Sequence, residues 1–313
     1  MKRLTHLLYA FANVRNRRAT LDYPKTDAVN LRNLVALKKV NPQLKVLLSV
    51  GGLGWSRNFS DMALTENGRQ LFSKSCLALV ERYKLDGIDI DCEFPGYAGE
   101  GGNIYRPEDR QNYTLLFKAL RETLGNGYLI CTAVDGWATH WLPQTEMNKV
   151  AQYTDYICLM TYNFNVSGLA GGHYLYSPPG WDPAGSVDGA VKRFIAAGVP
   201  KSQLVVGAGF FPAALQMHSN DPDDRRYSKK LSFPGGLARA NGLINRNGYR
   251  RYWDSIAFAP YLFNPKTRVR IAYEDTASVR GKWLYVCDQQ LAGLMYWDYF
   301  SDPGRHLLHM LAR

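Results

Sequence analysis

The stretch that decides the fold is LDGIDIDCEFPG, Leu85–Gly96, which carries four acids within eight residues. The last three, Asp89, Asp91 and Glu93, stand at every second position. Side chains of a β-strand alternate between its faces, so these acids share one face, about 6.6 Å apart at the backbone. Carboxyl groups packed so closely cannot all ionise, so we expect at least one to hold a proton at neutral pH. Glu93, the longest and the nearest to the strand end, is the natural proton donor.

Apolar runs of strand length recur along the chain between segments with helical spacing. Thr65–Lys84 and Pro107–Leu124 are two such helical segments. Strict alternation of strand and helix predicts an α/β fold, either a (β/α) barrel or a doubly wound sheet. A strand face of stacked acids favours the barrel, whose site lies at the carboxyl ends of its strands. The predicted strands are Leu7–Val14, Lys45–Gly51, Gly87–Phe94, Leu129–Val134, Tyr156–Tyr162, Leu204–Phe210 and Gly293–Tyr299.

The long segment before the last strand interrupts the alternation. It is rich in Pro, Gly, Asn and aromatic residues and is too long for an ordinary connection. We interpret it as a small α+β subdomain flanking the cleft, with a floppy loop as the alternative. The predicted domains are a barrel of residues 1–211 and 274–313 and an inserted subdomain of residues 212–273.

Composition excludes several classes of protein. The chain has 313 residues, 46% of them hydrophobic and 21% charged, which is typical of a globular protein. The net charge of +11 is compatible with nucleic-acid binding, but no Lys/Arg run exceeds the cluster at Arg15–Arg18, so we predict no nucleic-acid partner. No stretch reaches the roughly 18 apolar residues of a membrane span. The five cysteines are widely spaced and form no CxxC pair, which favours buried free thiols over disulfides or a metal site.

A calcium loop is the main alternative interpretation of the acidic stretch, because Asp89, Asp91, Glu93 and Glu100 match ligand positions of an EF-hand. The position that requires glycine in such a loop is Phe94, and a strand rather than a helix precedes it. A purely structural polar network is a second alternative. We therefore predict neither a metal ion nor another cofactor.

The stretch DGIDIDCEFP, Asp86–Pro95, resembles the DGxDxDxE signature of glycoside hydrolase family 18, the chitinases, which is followed by an aromatic residue and Pro. Further motifs occur in the family's order over essentially the whole chain. They are Tyr9–Asn13 for the second strand, Ser49–Gly52 for SxGG, Leu159–Asn163 for MTYD, and Leu294–Asp298 for the last strand.

The resemblance implies a (β/α)₈ TIM barrel that hydrolyses β-1,4-linked N-acetylglucosamine with retention and by substrate assistance. The catalytic residues it implies are Glu93 as acid and base, Asp91 to orient the acetamido N–H, Asp89 to share a proton with Asp91, and Tyr162 to bind the acetamido oxygen. Asp86 braces the start of the strand. The implied substrate is chitin or a chito-oligosaccharide.

Trp297 forms the hydrophobic floor beneath the sugar by the same resemblance. Tryptophans beyond the strand ends suit the apolar faces of sugar rings, with core packing as the alternative, whereas Trp283 is expected in the core. These tryptophans are Trp55, Trp137, Trp141, Trp181 and Trp297. The full predicted substrate-binding set is Phe11, Gly51, Gly52, Trp137, Met160, Asn163 and Trp297.

The sequence departs from the family pattern at four motif positions and at its start. Cys92 replaces Trp, Phe94 replaces Tyr, Asn163 replaces Asp, and Leu53 stands where many members carry Trp. The family's first strand is absent, which predicts an upstream segment or a partner chain that completes the barrel. The beginning of the chain imitates a secretory signal, but cleavage inside Leu7–Val14 would destroy a barrel strand. The resemblance implies a secreted protein, without a convincing signal peptide.

Three other functions remain open at this point. A chitin-binding lectin on the same barrel is one, although such relatives typically lose the catalytic Glu that is present here as Glu93. An endo-β-N-acetylglucosaminidase acting on N-glycans shares the motif and would differ in its loops. A nucleic-acid-binding protein has no supporting motif beyond the charge.

Overall fold

The structure, a computed structural model, describes residues 4–99, 102–165, 168–305 and 307–308. Its strands are β1 His6–Arg15, β2 Arg18–Thr20, β3 Lys45–Gly51, β4 Gly87–Asp91, β5 Leu129–Asp135, β6 Tyr156–Met160, β7 Leu204–Gly209, β8 Ala213–Met217, β9 Tyr227–Leu231, β10 Arg250–Asp254, β11 Ala259–Asn264, β12 Val269–Ala272 and β13 Gly293–Trp297. Its α-helices are α1 Pro24–Ala36, α2 Phe59–Ala63, α3 Glu66–Tyr83, α4 Asp109–Leu124, α5 Ala138–Trp141, α6 Met147–Val150, α7 Val187–Ala196, α8 Gly236–Leu243 and α9 Thr276–Gln289.

The seven predicted strands are all present, as β1, β3, β4, β5, β6, β7 and β13. The two predicted helices are α3 and α4. α3 begins after Thr65, whose hydroxyl accepts a hydrogen bond from the Gly68 N–H at 3.1 Å, and so satisfies one of the unpaired donors of the first turn. It ends at Lys84, which adopts a left-handed conformation with φ of 56°.

The chain divides into two compact units. The first comprises Met1–Asp135, His140–Cys158 and Ala197–Gln203. Its strands lie in the order β5-β4-β3-β1-β2, parallel except for the short β2, which pairs antiparallel with the end of β1. β3 is buried on both faces from Val46 to Gly51, as expected of a central strand in a parallel sheet.

Two aspartates in this unit fix the starts of neighbouring strands in the same way. Asp86 precedes β4 and its Oδ2 accepts the Val46 N–H of β3 at 2.7 Å. Asp155 precedes β6 and its Oδ2 accepts the Ile130 N–H of β5 at 2.7 Å. Lys38 lies 2.6 Å from Asp86 and completes the first of these arrangements. Asp86 thus braces the strand start, the role that the sequence suggested for it.

The second unit comprises Gly136–Thr139, Leu159–Ala196 and Leu204–Arg313. β7 and β13 pair in parallel, and β8 to β12 form an antiparallel sheet in the order β10-β11-β12-β8-β9. One core joins residues of β7, β12, α8 and α9, including the fully buried Ala208, Phe210 and Tyr273. The segment from 212 to 273 therefore carries five strands and a helix rather than a long loop; its limits as a separate domain stay a prediction.

Other sequence-based expectations concern single residues. All five cysteines are free thiols, and four of them are buried, with Cys287 exposed. Trp283 is 37% exposed on α9, so its predicted core position is wrong. No helix in the described part of the chain has the length and apolar character needed to cross a membrane.

Replacing Asp86 by Ala is predicted to lower the free energy of unfolding by about 1–3 kcal/mol, because the buried Val46 N–H loses its acceptor. Asp86→Asn is the matched control: its amide oxygen still accepts this bond, and only the partly exposed ion pairs with Lys38 and Lys45 are lost, at about 0–1 kcal/mol. Urea denaturation of the three proteins measures both changes. An Asp86→Ala protein as stable as the parent would contradict the bracing role.

Candidate active site

β4 presents its two aspartates on one face and its two isoleucines on the other. Ile88 and Ile90 are fully buried, and Asp89 and Asp91 are 2% and 7% exposed. Glu93 follows two residues beyond Asp91 and is half-buried. Asp89 and Asp91 therefore lie on one buried face of β4, and Glu93, beyond the end of this strand, is more accessible than either.

Asp89 is a buried carboxyl group with one hydrogen bond. Ser49 Oγ donates to its Oδ2 at 2.6 Å. Its Oδ1 is buried and has no hydrogen-bond partner among the described residues. Burial raises the pKa of Asp89 to about 6, although the hydrogen bond from Ser49 opposes this rise.

Asp91 is a second buried carboxyl group with a raised pKa. Burial raises its pKa well above the usual value, and the negative charges of Glu93 and Asp89 raise it further. Its Oδ1 is also buried without a hydrogen-bond partner in the described ranges. An uncompensated buried carboxylate is costly, so Asp89 and Asp91 together retain a proton at neutral pH.

Ser56 fixes the backbone at Asp91 and Glu93. Its hydroxyl accepts the Glu93 N–H at 2.9 Å and lies within donating distance of the Gly52 and Asp91 carbonyl oxygens, at 2.8 and 3.1 Å. The Gly52 N–H also donates to the Asp91 oxygen at 2.8 Å. Since Ser56 is 1% exposed, these bonds exclude water and hold the segment that leads into Glu93.

The two glycines at the end of β3 allow this close approach. Gly51 and Gly52 have φ of +113° and +77°, a region that residues with a side chain rarely adopt. A Cβ atom on Gly51 would lie 2.1 Å from the Asp91 carbonyl oxygen. A Cβ atom on Gly52 would lie 2.7 Å from the ring of Phe11. Gly51 therefore packs directly against the acidic strand, and Gly52 packs against Phe11.

An aromatic stack supports the residue after Glu93. The Phe94 ring stacks on Tyr97 with centroids 4.8 Å apart and packs edge to face on Trp141 at 6.2 Å. The Tyr97 hydroxyl donates to Asp135 Oδ2 at 2.9 Å, at the end of β5. Trp141 is fully buried, so it belongs to the core and not to a sugar-binding surface.

Tyr162 in the second unit lies over two glycines of β7. A Cβ atom on Gly207 would lie 3.0 Å from Cε1 of the Tyr162 ring and 2.9 Å from Met295 Cε. A Cβ atom on Gly209 would lie 3.0 Å from the Tyr162 Cβ. The absence of side chains at these two positions creates the space that the tyrosine occupies.

The predicted floor residue Trp297 belongs to the same neighbourhood. Its Cα pairs with that of Gly209, and Met295 pairs with Gly207. Because side chains two apart on a strand share a face, Trp297 and Met295 point to the same side of β13. Trp297 is 38% exposed. The second unit thus brings Tyr162 and Trp297 to one end of β7.

The remaining predicted binding residues have diverse surroundings. Met160 ends β6. Asn163 has a left-handed φ of 57°, which asparagine tolerates well, and its Oδ1 accepts from Asn165 Nδ2 at 2.5 Å. Trp137 packs edge to face on Phe164 with centroids 5.5 Å apart. Their roles toward a ligand stay predictions.

Cys92 and Leu53 replace tryptophans in different environments. Cys92 is 5% exposed and lines a cavity of about 10 Å³ with residues of α2 and α4. It therefore affects helix packing, as expected from the alternation of β4. Leu53 is 42% exposed and leaves an open surface after the glycine pair.

Several residues of the site were not predicted. Ser56 has no recognisable spacing relative to the acidic motif, and its contacts depend on the path of the loop. Met295 stood within the match to the last strand but was assigned no role. Ser49 stood within the SxGG match and could have been assigned as the partner of Asp89 from strand pairing. The aligned positions of β3 and β4 place Ser49 opposite Asp89.

Within the ranges that the structure describes, no group of three or more His, Cys, Asp or Glu side chains is arranged to hold a metal ion. Glu100, one of the residues in the calcium-loop comparison, lies outside the described residues.

Comparison with known proteins places this chain in a family. The model of the family described as Glycosyl hydrolases family 18 matches residues 1–302. Chitinase A1 of Niallia circulans is 34% identical over 91% of this chain, which spans 44% of that protein's length. The whole relative is thus more than twice as long as the matched part.

Two solved structures show the same fold. One is described as a family 18 N-acetylglucosaminidase from Paenibacillus barengoltzii; its TM-score is 0.91 at 38% identity, over 99% of this chain and 93% of that one. The other, a Group IV chitinase of Ostrinia furnacalis in complex with allosamidin, has a TM-score of 0.87 at 26% identity, over 98% of this chain and 88% of that one. The predicted α/β fold class, a TIM barrel, is confirmed by these likenesses, and the chain belongs to glycoside hydrolase family 18.

Proposed function

We propose that the protein is a chitinase-like glycosidase that hydrolyses β-1,4 linkages of N-acetylglucosamine oligomers or polymers with retention and by substrate assistance. The observation that carries the proposal is the line of Asp89, Asp91 and Glu93. Two of its members are buried and share at least one proton, while the third is accessible and held by Ser56. This combination supplies a proton donor beside a group that can become negative when a positive charge develops.

In the proposed first step, the Glu93 carboxyl group donates its proton to the glycosidic oxygen as the bond to the anomeric carbon breaks. The acetamido oxygen of the same sugar attacks the anomeric carbon and forms an oxazolinium ion. In the second step, the Glu93 carboxylate takes a proton from water. The water oxygen bonds to the anomeric carbon on the face that the leaving group left, and the bond from that carbon to the acetamido oxygen breaks, which restores the acetamido group. The two inversions give net retention.

Asp91 is proposed to accept a hydrogen bond from the acetamido N–H and to stabilise the positive intermediate. For this it must be anionic while the intermediate exists, and Asp89 is the neighbour to which the shared proton can move. A pKa of Asp89 raised to about 6 makes this transfer accessible near neutral pH. Tyr162 is proposed to donate to the acetamido oxygen, and Trp297 to stack under the sugar.

The substrate class comes from the relatives. Chitinase A1 and the chitinase of Ostrinia furnacalis are named for action on chitin, and the latter was solved with allosamidin bound. The N-acetylglucosaminidase from Paenibacillus barengoltzii supports a second candidate, release of single N-acetylglucosamine units. Analysis of the products of chitotetraose separates the two, because the second candidate predicts N-acetylglucosamine as the first product.

Glu93→Gln is predicted to lower the rate of hydrolysis of a fluorogenic chitotriose substrate by about 10³-fold or more, because the amide cannot donate the proton. Thermal melts of the parent and the variant show whether both are folded. The variant should still bind chito-oligosaccharide, since the amide keeps the shape of the carboxyl group.

A folded parent that binds chitin without hydrolysing it would contradict the enzyme and favour the lectin. A Glu93→Gln variant within tenfold of the parent would reject Glu93 as the acid. Cleavage of N-glycans in preference to chitotriose would favour the endo-β-N-acetylglucosaminidase.

The shared proton has a consequence for stability. Because the pKa of Asp89 rises from 3.8 to about 6 on folding, the folded state binds more protons between these pH values. The contribution of Asp89 to the free energy of unfolding should therefore be fully present below about pH 4 and should be lost as the pH rises through 6. Asp89→Asn, which keeps an acceptor for Ser49, should flatten this part of the pH dependence.

Urea denaturation at intervals from pH 4 to pH 7 measures the effect. Asp288→Asn, an exposed substitution on α9, is the control and should leave the profile unchanged. Identical pH profiles for the parent and Asp89→Asn would mean that Asp89 ionises normally in the folded protein.

A further inference from the structure

His173 lies in the segment between β6 and α7 and is 1% exposed. Its Nδ1 lies 3.1 Å from the backbone N of Asn163, and its Nε2 lies 3.0 Å from the carbonyl oxygen of Phe211. The amide can only donate and the carbonyl can only accept. The imidazole is therefore neutral, with its proton on Nε2.

The surroundings of the ring maintain this state. Burial and, to a smaller extent, the positive charge of Lys282 together lower the pKa of His173 to about 3, although the hydrogen bond to the Phe211 carbonyl opposes this change. Lys282 is itself fully buried and paired with Glu274, whose other oxygen accepts from Ser278 Oγ at 2.5 Å. Protonation of His173 would add a second buried cation and remove the acceptor for the Asn163 N–H.

His173 is coupled to Tyr162 by packing as well as by the backbone. The His173 ring packs edge to face on Phe211, and the Phe211 ring packs edge to face on Tyr162, each pair with centroids 5.4 Å apart. A Cβ atom on Gly209 would lie 2.9 Å from His173 Cε1 and 3.1 Å from Phe211 Cε1. The same atom would lie 3.0 Å from the Tyr162 Cβ, so the three side chains converge on one glycine.

We propose that His173 is a positioning residue for Tyr162: the hydrogen bond that its Nδ1 accepts fixes the peptide that follows the tyrosine. The inference rests on the proposed role of Tyr162 toward the acetamido group. The Asn163 N–H belongs to the peptide bond directly after Tyr162, and Asn163 has a left-handed φ of 57°. Holding that N–H selects the backbone turn that directs the tyrosine over β7.

The test uses a matched pair of substitutions. His173→Asn keeps an acceptor at the position of Nδ1, because the amide oxygen is bonded to Cγ as Nδ1 is. His173→Phe keeps the shape of the ring and removes both hydrogen bonds. A positioning role predicts that Asn preserves the geometry of Tyr162 and Phe does not.

The first measurement does not depend on activity. ¹⁵N shifts of His173 should show a neutral ring with the proton on Nε2 from pH 5 to pH 8. The Tyr162 ring resonances can be assigned because they disappear in Tyr162→Phe. Their chemical shifts should change in His173→Phe and stay the same in His173→Asn. A protonated ring, the opposite tautomer, or an unmoved Tyr162 in His173→Phe would overturn the proposal.

The second measurement is kinetic, with fluorogenic chitotriose. His173→Phe should lower kcat about tenfold to hundredfold with KM changed less than about threefold, since a misplaced catalytic group costs rate more than binding. His173→Asn should restore most of kcat. In a Tyr162→Phe background, His173→Phe should cost less than about twofold, because the residue through which it acts is already disabled.

The outcomes separate the two proposals. If the losses in kcat of Tyr162→Phe and His173→Phe multiply in the double variant, His173 acts independently of Tyr162. That result would overturn the positioning role. An inactive but folded parent would reject the proposed function, and the resonances of Tyr162 would still decide whether His173 positions it.

Discussion

The burial of two carboxyl groups on one face of β4 is the constraint on which the rest of the site depends. Asp89 and Asp91 are almost without solvent, and each has an oxygen that no described residue hydrogen-bonds. Such groups destabilise a folded protein when charged, so they are tolerated only as a pair that retains a proton. The proposed mechanism uses this retained proton, which passes from Asp91 to Asp89 as positive charge develops on the substrate.

The surrounding structure fixes the positions of these carboxyl groups. Ser49 fixes one oxygen of Asp89, and Ser56 fixes the backbone at Asp91 and Glu93. Gly51 and Gly52 bring the neighbouring strand end close enough for these contacts. In the second unit, Gly207 and Gly209 do the same for Tyr162, with His173 behind it. Both units thus have glycines beside residues of the predicted site.

The sequence was sufficient for those features that depend on local pattern. The alternation in Gly87–Asp91 predicted the acidic face, and the apolar runs predicted strands whose observed ends differ by at most a few residues. The capping hydroxyl of Thr65 marks the start of α3 just where the helical spacing begins. The motif order identified the family, which the comparisons confirm.

Features that depend on tertiary contacts could not be predicted. Ser56 reaches Glu93 across 37 positions of sequence, and only the path of the loop brings its hydroxyl there. His173 has the same character: an isolated histidine gives no sign that two backbone groups flank its ring. Two tryptophan predictions are wrong because hydrophobic character alone does not distinguish a buried position from an exposed one. Trp141, expected beside a sugar, is buried, and Trp283, expected in the core, is partly exposed.

The most direct test of the account is the stereochemistry of the first product. ¹H NMR of chito-oligosaccharide hydrolysis, recorded before mutarotation, reports the anomeric configuration of the newly formed reducing end. Attack by the acetamido group followed by water predicts the β-anomer, because two inversions restore the original configuration. The α-anomer would require direct attack by water and would contradict a mechanism in which Asp91 and Asp89 support the substrate's own acetamido group.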